Sequence, residues 1–167
     1  RYLRFVAPRP ASVLLVYSPE VTFEMLTDTK YPGIEYWTSA LDALSLDYEV
    51  WNTETVGRGP RADELKPYRL VIWRPEELGS PVPGITTAIQ SYVQSGGALF
   101  VVSHDLLTRL AETPGGTNFI SQVLHVKASQ ADQGATSISS IPGDVAGAGV
   151  SVELDYSAFP EGFIVDL

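Results

Sequence analysis

Apolar positions along the chain fall into two periods. Short unbroken runs occur at Ser12–Ser18 (SVLLVYS), Arg69–Arg74 (RLVIWR) and Ala98–Ser103 (ALFVVS), with a more polar relative at Leu46–Thr53 (LDYEVWNT). Runs of this length, rich in branched and aromatic residues, predict strands, and the first, third and fourth fit strands buried on both faces. Between them the period lengthens. Ile34, Trp37, Leu41 and Leu44, with Ala40 alongside, mark one face of a helix, as do Ile85, Ala88, Ile89, Tyr92 and Val93. Gly96 and Gly97 predict the end of that second helix. Leu106, Leu107 and Leu110 predict a short helix stopped by Pro114–Thr117, and FISQVLHV a further one. The segments ETVGRGPRADELKP and PEELGSPVPG read as loops.

Strands alternating with helices predict an α/β fold, a mainly parallel sheet with helices on both faces. From about Lys127 the composition shifts towards Ser, Gly, Ala and Thr. The strand-like pieces ATSISSI and VSVEL flank the turn PGDVAGAG there. Residues 1–11, with Pro8 and Pro10, read as a lead-in, and 12–167 as a single domain whose stretch 127–167 is a β-rich edge.

Composition narrows the function classes. The chain has 167 residues, of which 44% are hydrophobic, enough for one domain with a sizeable core. No run approaches the ~20 apolar residues of a membrane span. Net charge is -9, from 20 acidic and 11 basic residues, which argues against binding to nucleic acid or anionic membranes. The absence of cysteine excludes disulfides, thiolate nucleophiles and Cys-ligated metals. A first residue of Arg1 fits a processed protein or a piece of a longer one.

In a parallel sheet, ligands bind beyond the C-terminal ends of the strands. The candidate crevice therefore draws on Tyr17, Ser18 and Glu20, on Trp73, Arg74 and Glu76, and on Ser103 and His104. Ser103, His104 and Asp105 stand side by side, but neighbouring side chains on extended backbone point apart, so His104 is badly placed to activate Ser103. A nucleophile elbow also favours Gly two residues to either side, where this chain has Val101 and Asp105. Ser103 or Asp105 is better explained as the cap of the next helix. Glu76 and Glu77 could serve as an acid/base pair or simply be solvated, and Arg74 could hold a carboxylate or pair with one of them. Only His104 and His125 could bring imidazole to a metal, and neither has a second His at a ligand spacing. Asp132, Asp144, Asp155 and Asp166 lack calcium-loop spacing. No glycine-rich phosphate loop follows the first strand. The expectation is no cofactor and no metal.

The pieces VLLVYS, YEVWNT, LKPYRLVIWR, SYVQSGGALFVVSHDLL, NFISQVLHV and SIPGDVAGAG, in that order, resemble the class I glutamine amidotransferase-like superfamily, in particular modules found in large secreted bacterial proteins. The resemblance covers most of Ser12–Val150. It implies a flavodoxin-like, three-layer α/β/α sandwich with a β-rich C-terminal extension, a place outside the cell or at its surface, and neighbouring domains of the same polypeptide as partners. Active relatives use a Cys at the elbow with His and Glu. Here the elbow reads VVSHD and His125 is followed by Val126 and Lys127, so those roles do not carry over. The expected function is a non-catalytic accessory module in protein or ligand contact, or a structural one. Two alternatives stand beside it. One is an unusual hydrolase using Ser103, for which His125 rather than the adjoining His104 would have to lie within hydrogen-bond reach, or a strand-end carboxylate such as Glu20 or Glu76. The other is a small-molecule or carbohydrate binder with Tyr17, Trp73 and His104 lining the crevice.

Overall fold

The computed structural model describes residues 11–18, 34–75, 84–103, 106–127, 136–141, 143 and 149–153. They belong to two compact units, residues 1–127 and 128–167, each considered by itself.

The first unit contains, in chain order, β1 (Val13–Tyr17), α1 (Ile34–Ala43), β2 (Tyr48–Asn52), α2 (Thr53–Val56), α3 (Ala62–Leu65), β3 (Leu70–Arg74), α4 (Ile85–Gln94), β4 (Ala98–Val101), α5 (Leu106–Ala111) and α6 (Gly116–Gln122). All four strands are parallel, in the order β2-β1-β3-β4. The α/β character and the parallel sheet follow the apolar pattern. Register sets Leu15 between Val50 and Ile72, and Ile72 opposite Phe100.

Because side chains alternate along a strand, β1 serves two cores at once. Leu14 and Val16 join Val71 and Trp73, and α3 to α6 pack on them through Leu65, Ile85, Ile89, Tyr92, Leu110 and Phe119. Val13 and Leu15 join Ile72 on the opposite side, where Leu41 of α1 covers them. A strand with both faces covered needs an unbroken apolar run, which is what VLLVY supplies.

Three expectations are corrected. The fourth strand is not buried on both faces: among the described residues β4 pairs with β3 alone, and Phe100 is 50% exposed. Leu44 is not on the helix face, because α1 ends at Ala43 and Leu44 is 69% exposed. Ser45 there takes a left-handed φ of 52°, with Ser45 N–H donating to Asp42 O at 2.9 Å and Leu46 N–H to Leu41 O at 3.0 Å. This 5→2 and 6→1 pair closes the helix. The connector after β2 also contains two short helices. Asn52 Oδ1 accepts from Glu54 N–H and Thr55 N–H, both at 3.0 Å, and so caps α2. Arg61 N–H donates to Glu64 Oε2 at 2.8 Å at the start of α3.

Gly96 and Gly97 end α4 for different reasons. Gly96 has φ +96° and donates its N–H to Val93 O at 2.9 Å. Gly97 leaves room for the Tyr92 ring, into which a Cβ would project.

In the second unit, β5 (Ser137–Ser139) and β6 (Ser151–Glu153) form an antiparallel pair with Ile138 opposite Val152, and every residue of the two strands is exposed. Among the described residues, no helix is long and apolar enough to cross a membrane.

Candidate functional site at the strand ends

The order of the strands reverses at β1 and β3: the chain moves outward to β2 on one side and to β4 on the other. The crevice rule therefore points to the C-terminal ends of these two strands. Tyr17, the last residue of β1, lies across from both Asn52 and Arg74. The Arg74 guanidinium carbon sits 5.5 Å from the centre of the Tyr17 ring, a cation–π distance. Ser18 N–H donates to Arg74 O at 3.2 Å and extends the ladder by one residue. Thr53 Oγ1 then donates to Ser18 Oγ at 2.9 Å. Ser18 and Thr53 are only 4% and 6% exposed, so neither hydroxyl could be left unpaired cheaply. This bond ties β1 to the first residue of α2, and Asn52 spends its side-chain carbonyl on the cap just described.

Tyr17, Ser18 and Arg74 thus come together at the ends of β1 and β3. Thr53 and Asn52 join them. Both stand at the polar end of LDYEVWNT, at one of the four strand-end loops to which the crevice rule applies.

Trp73 is corrected. It is 1% exposed and stands edge-on to Phe119, at 6.0 Å and 89°, so it fills the core beneath α6 rather than walling a crevice. Its parity along β3 matches Val71, not Ile72, which places it on that side.

Ser103 is half-buried, two residues beyond β4, and the preceding Val102 N–H donates to Trp73 O at 3.1 Å. Among the described residues, positive φ outside glycine occurs at Ser45 and His125 only, so Ser103 lacks that form of elbow strain. His125 is exposed, with φ 55°, beyond the end of α6. Glu20, Glu76, Glu77, His104 and Asp105 lie outside the described residues, as does the proposed cap of α5 by Asp105. So do Asp132, Asp144, Asp155 and Asp166. No group of three or more His, Cys, Asp or Glu able to hold a metal occurs among the described residues.

A second polar cluster, absent from the sequence reading, surrounds Arg58. Arg58 Nη1 donates to Glu64 Oε2 and Nη2 to Glu64 Oε1, each at 2.7 Å, and Nη1 also donates to Gly59 O at 2.9 Å. The guanidinium lies 4.9 Å from the Trp51 ring centre, and Trp51 Nε1–H donates to Arg58 O at 2.9 Å. The Arg58 guanidinium, helped by Arg61 N–H, holds the Glu64 carboxyl at about 2, far below its ordinary range. Nearby, Tyr68 donates its hydroxyl to Glu49 Oε2 at 2.5 Å, and loss of hydration together with that carboxylate pushes the phenol up to about 12. Arg58, Pro60 and Arg61 border a groove of about 460 Å³ whose other wall is Thr87, Ala88 and Ser91 of α4. The forked pair with Glu64 and the stacked indole fix Arg58 as a scaffold.

Compared with known proteins, the chain matches no family model, no curated protein and no solved structure.

Proposed function

We propose that this chain is a non-catalytic, amidotransferase-like module of a larger extracellular protein, working through contact with neighbouring domains or a ligand, or as a structural piece. The observation that carries the proposal is the use of the strand-end polar groups. Where an enzyme of this architecture would hold reacting groups free, Ser18 and Thr53 bond to each other and Asn52 caps a helix. The lack of any cysteine supports the same view. The order β2-β1-β3-β4 agrees with the first four strands of a flavodoxin-like sheet, and the two apolar clusters fit three layers. The β-rich C-terminal extension, the extracellular setting and the domain neighbours belong to the same proposal and rest on the sequence resemblance.

A second reading, a small-ligand site beside Tyr17 and Arg74, is favoured by the stacked guanidinium at the point where strand order reverses. The hydrolase alternative remains the one to defeat. A fluorophosphonate probe separates its serine form from both. The expected outcome is no more labelling of the native chain than of Ser103→Ala. Labelling that disappears in Ser103→Ala would overturn the non-catalytic proposal.

A further inference from the structure

We draw no further inference here: the strongest candidate, the groove of about 460 Å³ between residues 58–62 and the first two turns of α4, carries nothing, because its Arg58 guanidinium is already held by Glu64 and Trp51 and nothing in the structure shows what fills the space.

Discussion

β1 and β4 have nearly the same apolar character, VLLVY against ALFV, yet they end in different surroundings. Leu15 of β1 is fully buried between strands on both sides and beneath α1. Phe100 of β4, a larger side chain, is half exposed, meeting Trp37 edge-on at 6.3 Å. Hydrophobicity decides that a segment becomes a strand. Its place in the strand order decides how much of it leaves water. A leucine at the centre therefore contributes more to stability than a phenylalanine at the outer position.

Substitution tests that difference directly. Leu15→Ala should cost about 3 kcal/mol, because it removes buried methyl groups and leaves a cavity. Phe100→Ala should cost about 1 kcal/mol, since much of its ring already faces water. Urea denaturation of both variants checks the order, and equal losses would mean that something covers Phe100 in solution.

The junction of α4 and β4 sharpens the contrast between centre and margin. Gly97→Ala should cost about 2 kcal/mol through overpacking, because the Tyr92 ring is buried and its hydroxyl is anchored to Tyr68 O at 3.1 Å. Gly96→Ala meets open space and should cost about 1 kcal/mol, from its left-handed φ alone. Thermal unfolding of the two variants should show the larger drop at Gly97.

The strand-end bond between β1 and α2 is next in size. Ser18→Ala leaves the buried Thr53 hydroxyl without its acceptor and should cost about 1.5 kcal/mol. Adding Thr53→Val should cost less than the sum of the two single changes, because the second removes the orphaned group. An additive double mutant would show that the two hydroxyls act independently.

The smallest effect belongs to the solvent-facing Arg58–Glu64 pair, whose side chains are 37% and 29% exposed. Glu64→Gln should cost about 0.5–1 kcal/mol, reduced by screening. Its signature is the pH dependence. The folded-state carboxyl titrates at about 2, against an ordinary 4.5, so the native contribution is complete above 4.5 and fades as pH falls towards 2. Unfolding midpoints measured across that window should converge for the native chain and Glu64→Gln at the acid end. A constant gap would show that the ion pair is not the cause.

Much of the first unit was legible in its residues. All four strands lie inside the apolar runs that predicted them, and α4 begins at Ile85 and stops at the glycines, because burial imposes a period on long elements. The short helices α2 and α3 escaped for the opposite reason. Four residues are barely one turn, too few to display a helical period, and their evidence lay in the caps at Asn52 and Arg61–Glu64. The candidate site was legible as a location only. Strand ends could be named from the runs, but which way Trp73 faces depends on its parity against Val71 and Leu14, and the Ser18–Thr53 bond joins residues that only the β1–β2 register brings together. The Arg58 cluster shows the same limit: Trp51 and Glu64 reach the arginine from a strand and a helix on either side of it in the chain.

The order β2-β1-β3-β4 also has a meaning in time. Of the four parallel strands β1 is made first, yet both of its partners lie further along the chain, beyond α1 on one side and beyond α3 on the other. Among the described strands of the first unit, no neighbouring pair can form as a local hairpin, so each ladder must wait for a distant segment and close a long loop first. VLLVY, the most water-averse strand of the unit, is therefore without partners for the longest part of synthesis, and the residues that finally shelter it decide when the unit can first become stable.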